Sequence, residues 1–320
     1  MSRLRQTWDS VRAVTDLYED LVDAANRVYG SHPRSRALHA KGTWCEGTFS
    51  ASAAATGLCR AAHMGGDPVP ALIRFSNGSG DPESHDAVRE ARGLAIKLRP
   101  QDGEETDMLA TTSRAFSNRT PEDFLEVLRL RAPDPDTGQP DMERLGGFLA
   151  EHPEMQAAVQ SILGVGPPAS FATLVYYSPH SFKLLGADGG ETWIRFRWRP
   201  EAGEHRITDD EARAKGRDYL REELAERLAQ GPARFELLLQ IAEEGDPIDD
   251  ATAVWPDGER EMVEAGTLEV TAIVDDPERG GDIVVFDPTR VIDGVEMSDD
   301  PILHARSKAY TVSIDRRVAG

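Results

Sequence analysis

Trp193-Ile194-Arg195-Phe196-Arg197-Trp198-Arg199 decides the fold. Ile194, Phe196 and Trp198 share one side of an extended chain, and Trp193, Arg195, Arg197 and Arg199 the other. That period of two marks a strand with one face toward a core. The same reading extends to residues 43–49, 70–76 and Arg92–Leu98, where Leu94, Ile96 and Leu98 line one face. Segments 173–184, 235–241 and 268–274 complete the set. At least seven strands, many joined by long connections, suit an antiparallel β-barrel better than alternating βαβ units.

Helices are expected around that barrel. Trp8, Val11, Val14, Leu17, Tyr18, Leu21, Val22, Ala25 and Val28 recur every three or four residues before Gly30, an amphipathic helix with a stop signal. Thr208-Asp209-Asp210-Glu211 is a capping box opening a helix that Gly231-Pro232 closes. Residues 122–131 read as a short helix after Pro121. Ser298-Asp299-Asp300-Pro301 places an acidic cap before a C-terminal helix. The expected class is one α+β domain over residues 1–320. It comprises an N-terminal helix (1–30), a barrel with helical insertions (36–286) and a last helix (300–317).

Composition narrows the function. The chain has 320 residues with 36 Lys+Arg against 56 Asp+Glu, a formal charge of −20. No basic stripe is available to displace counterions, which disfavours nucleic acid and anionic membranes as partners. No apolar run approaches the roughly 20 residues of a membrane span. No basic-then-apolar signal segment is read at residues 1–16, and two cysteines are too few for a disulfide framework or zinc cage. A cytoplasmic location is expected.

Taken singly, the ionisable residues leave alternatives open. His39, as a lone histidine before a strand, is more often a satisfied structural residue than an acid/base. Tyr310 lies four residues after Arg306 on an expected helix, so the two share a face. They are either an exposed pair or a phenol held ionised by a guanidinium. Arg317 joins that face if the helix continues. Ser76 is a catalytic hydroxyl or simply the end of a strand. Gly78-Ser79-Gly80 lacks the following Gly-Lys of a phosphate loop.

In combination the motifs resemble those of haem catalases. Arg36-Ala37-Leu38-His39-Ala40-Lys41-Gly42 is similar to the family's distal segment. Arg74-Phe75-Ser76 and residues 89–97 resemble its next strand pair. Ser178-Pro179-His180-Ser181-Phe182-Lys183-Leu184, Val254-Trp255-Pro256, Phe286-Asp287-Pro288 and Arg306-Ser307-Lys308-Ala309-Tyr310 follow in the family's order. Without a long N-terminal arm or further C-terminal segments, the chain resembles the short catalase-related peroxidases.

The resemblance implies haem b (iron protoporphyrin IX) ligated by Tyr310, whose phenol Arg306 keeps deprotonated. It makes His39 the acid/base on the opposite side and Ser76 the hydroxyl that orients it. Arg36, Arg74 and Arg317 match the arginines that hold the two propionates. Phe116 and Phe124 match pocket aromatics, and His180 a haem-side histidine on a barrel strand. Thr111 falls where the family has an Asn, so a one-proton hydroxyl replaces an amide. The expected function is reduction of hydrogen peroxide or organic hydroperoxides by an organic donor, with weak catalase activity, in a monomer or small homo-oligomer. Rearrangement of fatty-acid hydroperoxides, as in allene oxide synthases, and non-catalytic haem binding are the alternatives.

Overall fold

The computed structural model describes the backbone of residues 2–101, 103–281 and 283–319, and side chains from residue 16 onward except 280 and 319. The chain opens with helix α1 (Ser2–Tyr29), strand β1 (Gly42–Ala51), helix α2 (Ala53–Leu58), β2 (Val69–Asn77), β3 (Arg92–Leu98) and β4 (Thr106–Thr111). Helices α3 (Pro121–Arg131), α4 (Met142–Glu151) and α5 (Gln156–Leu163) follow. Then come β5 (Tyr176–Tyr177), β6 (Phe182–Leu185), β7 (Glu191–Pro200), α6 (Asp209–Ala214), α7 (Tyr219–Leu228), β8 (Ala233–Ile241), β9 (Met262–Ile273), β10 (Val295–Met297) and α8 (Pro301–Ala319).

The strands form one antiparallel sheet in the order β10-β6-β7-β5-β4-β3-β2-β1-β9-β8, and β7 also pairs with β8. That second pairing closes a barrel of β1–β5 and β7–β9 without β6, and closure removes the exposed edges of an open sheet. Inside it Phe49, Phe75, Tyr176, Trp198 and Phe235 are buried. Phe75 stacks on Phe171 at 5.4 Å, and Phe49 meets Trp198 edge-on at 5.8 Å. Each such side chain stabilises the fold by about 1.5–3 kcal/mol through apolar burial. Ile194, Phe196 and Trp198 face this core as the alternation requires.

A second apolar cluster lies among the helices. Tyr18, Leu21, Ala24 and Ala25 of α1 pack with Leu125 and Leu128 of α3 and Ala305 of α8. The expected N-terminal helix is therefore present and Gly30 ends it at φ +89°. Trp8, Val11 and Val14 lie outside the described side chains.

Three expectations need correction. Residues 173–184 are not one strand: a 3-10 turn (Phe171–Thr173), β5 and β6 share the segment. Pro179 offers no N–H to a ladder, and Ser178 Oγ donates to His180 O at 3.1 Å, turning the chain. His180 accordingly sits in this turn, not on a strand. The capping box at Thr208 is present, but its helix breaks at Lys215-Gly216-Arg217-Asp218 and resumes as α7. The third correction concerns β4 and β10, which the period-two reading passed over.

Candidate active site

Directly paired residues on neighbouring strands point to the same side of a sheet. Gly42 pairs with Ser76, Ser76 with Gly93, Gly93 with Thr111 and Thr111 with Tyr177. One row across five strands thus carries the Ser76 and Thr111 side chains with a gap at Gly93 between them. His39 fills toward that gap. A Cβ on Gly93 would lie 2.6 Å from Ser76 Oγ and 3.1 Å from His39 Nδ1. Only glycine admits both groups.

His39 itself is held from three sides. Its Nδ1 lies 3.0 Å from Ser76 Oγ. Its N–H donates to Gly78 O at 3.2 Å, and the Ala40 N–H donates to Ser79 O at 3.0 Å. A Cβ on Gly80 would come within 2.2 Å of Ala37 O. Gly78-Ser79-Gly80 is therefore the platform on which the His39 segment lies, a role its sequence did not disclose. His39 adopts φ +55°; with Arg34 it is one of two described non-glycine residues at positive φ. Such backbone strain persists where surrounding contacts over-determine it. Burial, then the Arg74, Arg306 and Arg36 charges, lower the imidazole pKa to about 3. His39 is a neutral base at ordinary pH.

Thr111 ends β4, and its Oγ1 accepts the Ser113 N–H at 3.0 Å. That fixes the oxygen and leaves one hydroxyl proton to offer. Phe116 and Phe124 meet edge-on at 5.4 Å. The Phe116 N–H donates to Ala251 O, and Phe124 rises from the first turn of α3.

A second hydrogen-bonded group lies on α8. Arg306 Nε–H donates to Tyr310 Oη at 2.9 Å, and Arg306 Nη1 lies 2.9 Å from His180 Nε2. Because a guanidinium only donates, His180 Nε2 accepts and Nδ1 carries the proton. Nδ1 lies 2.6 Å from Asp300 Oδ2. Burial outweighs the Asp300 contact and lowers the His180 pKa to about 4, so the ring is neutral. Asp300, His180, Arg306 and Tyr310 form one hydrogen-bonded line. The sequence pattern around Asp300 shows only a helix cap. Asp300 is also that, since its Oδ1 accepts the Ile302 N–H at 2.9 Å.

The three arginines gather around Trp44 and Glu278. Arg36 and Arg74 each place Cζ 5.5 Å from the Trp44 ring centre. Arg74 Nη2 donates to His39 O and Ala40 O, both at 3.0 Å, and occupies the space that a Cβ on Gly42 would fill. Arg36 donates to both Glu278 oxygens at 2.8 and 3.0 Å, and Arg317 reaches them at 3.1 and 3.3 Å. Arg74 Nε and Arg317 Nε are buried without a partner among the described residues. A buried orphan donor is costly, and donors of this charge call for an anion.

These residues fit a haem. The phenol beside a guanidinium is a ligand type that iron porphyrins take, and the orphan nitrogens suit carboxylate side chains. Among the described residues no group of three or more His, Cys, Asp or Glu side chains could hold a bare metal ion.

The catalase family model matches residues 19–320, and the chain belongs to that family. It is 41% identical to a catalase-related peroxidase of Mycolicibacterium paratuberculosis over 93% of this chain and 94% of that protein. Identity to a catalase-related peroxidase of Synechococcus elongatus is 30%, covering 94% of this chain and 89% of the other. A fungal catalase superposes with a TM-score of 0.80 at 24% identity, over 91% of this chain and 61% of that one. The chain thus spans about six tenths of that solved structure, whose likeness bears on the fold alone.

Proposed function

We propose that the protein is a haem-dependent peroxidase that reduces hydrogen peroxide or organic hydroperoxides at the expense of an organic donor. It is an oxidoreductase acting on peroxide, as its relatives' names imply. Tyr310 would hold haem b, which would supply the redox-active iron. One observation carries the reading: a neutral, Ser76-oriented imidazole and a guanidinium-paired phenol occur together with arginines that lack an anion.

Each side chain then has a task. With the Nδ1 proton donated to Ser76 Oγ, His39 Nε2 is the free base. It would take the proton from one peroxide oxygen and return it to the other, which departs as water or an alcohol; over the full turnover two electrons and two protons from the organic donor carry the second oxygen away as water. The Thr111 hydroxyl steadies the peroxide with one donor. Arg306 stabilises the Tyr310 phenolate, and His180 and Asp300 fix the Arg306 fork. Arg36, Arg74 and Arg317 bind the two propionates. An amide at position 111 would offer two donors, so dioxygen release is the weaker activity. We place the protein in the cytoplasm, where two buried free thiols persist, as a single catalase-like domain over residues 1–320, monomeric or in a small homo-oligomer. Among the described residues no helix is long and apolar enough to cross a membrane.

The test compares dioxygen release with oxidation of a phenolic dye on the haem-loaded protein, alongside Tyr310→Phe. Dye oxidation should dominate, and the Phe variant should lose the phenolate-haem absorption spectrum. An unaltered spectrum, or rapid dioxygen release without dye oxidation, overturns the reading.

A further inference from the structure

Glu278 has no part in the chemistry above, yet it is the carboxylate on which two of the three arginines converge. It lies on a 3-10 turn (Pro277–Gly280) whose start is capped by the Asp276 side chain. Val284 N–H donates to its Oε1 at 3.1 Å. The cap thus fixes the turn and one backbone N–H fixes the carboxylate, independently of any ligand. Its side chain is 16% exposed and that of Arg317 9%.

Three guanidinium groups packed together oppose one another. Burial lowers the pKa of Arg36 and of Arg74, and each is lowered further by its arginine neighbours. Glu278, bonded directly, relieves part of that repulsion, with Asp276 contributing through its charge alone, and the unpartnered guanidinium nitrogens remain to meet a ligand's carboxylates. The nitrogens left over, Arg74 Nε and Arg317 Nε, are not those that bind Glu278. A ligand carboxylate need not displace it.

We infer that Glu278 is a positioning residue that holds Arg36 and Arg317 so that the arginine cluster recognises a dicarboxylate porphyrin. The inference rests on the haem reading above. It assigns to Glu278 selectivity for the acid groups rather than grip on the iron.

Haem-free protein is titrated with ferric protoporphyrin IX and, separately, with its dimethyl ester, following quenching of tryptophan fluorescence. The native chain should prefer the diacid. In Glu278→Gln the diacid affinity should fall about tenfold, the scale for losing a residue that orients a ligand's partners, while the ester affinity stays put. Glu278→Asp, which keeps the charge, should recover part of the preference. Equal weakening of both porphyrins would make Glu278 merely structural, and tighter diacid binding would make it a competitor; either overturns the inference. An unchanged preference overturns it as well. If the native protein takes up neither porphyrin, the haem reading fails first and this inference with it.

Discussion

The His39 corner and the Tyr310 line reach rigidity by different routes. His39 is fixed by shape: a strained backbone, a platform of small residues and a gap at Gly93 that one methyl group would fill. Tyr310 is fixed by a relay of charge-assisted hydrogen bonds running from Asp300 through two side chains. Crowding should make the first site intolerant of added volume. The second should be sensitive to lost charge and tolerant of size.

The sharpest way to break this contrast is Gly93→Ala. The new Cβ overlaps Ser76 Oγ and crowds His39, so peroxide turnover should fall at least tenfold at a stability cost of about 1–3 kcal/mol. Turnover within twofold of the native rate would show that shape does not govern this corner. A smaller effect is expected for Asp300→Asn, which keeps an acceptor and loses the charge. Turnover should drop several-fold and thermal unfolding should reveal a loss of about 1–2 kcal/mol. A larger loss than that of Gly93→Ala would reverse the ranking.

His63 sharpens the comparison as a control, because it is buried but its Nδ1 has no partner among the described residues. Burial lowers its pKa from 6.5 to about 4. The unfolded chain binds this proton below pH 6.5, whereas the folded chain resists it until about pH 4. The stability involved is present above pH 6.5 and lost as pH falls through that window, up to about 3 kcal/mol. His63→Leu should flatten the decline of melting temperature between pH 6.5 and 4. An equally steep decline would place the acid sensitivity elsewhere, with His39 and His180 the next groups to examine.

What the sequence discloses follows the same divide. Strands such as β7 are legible because Ile194, Phe196 and Trp198 must reach one core, a constraint written locally. His39, Tyr310 and Arg306 stand out through motifs in family order. Asp300 was legible only as a helix cap because its second bond, to His180, joins residues far apart in the chain. Glu278 sits in a turn with no periodicity, and its meaning arises only when Arg36 and Arg317 arrive from opposite ends. Gly93 and Gly80 matter through a methyl group they lack, which no pattern of side chains records. The broken segment 173–184 failed for a related reason: Pro179 and the His180 turn serve the α8 side of the molecule, not the sheet.

The packing of α1 against α3 and α8 has a consequence for folding. Helix α8 carries Tyr310 and docks partly on the apolar face of α1, so segments far apart in the chain must meet before the phenol is seated. Contacts of such long sequence separation form slowly. A chain that has closed its barrel would hold Arg36 and Arg74 first, and the docking of one helix would then bring Tyr310 and Arg317 together.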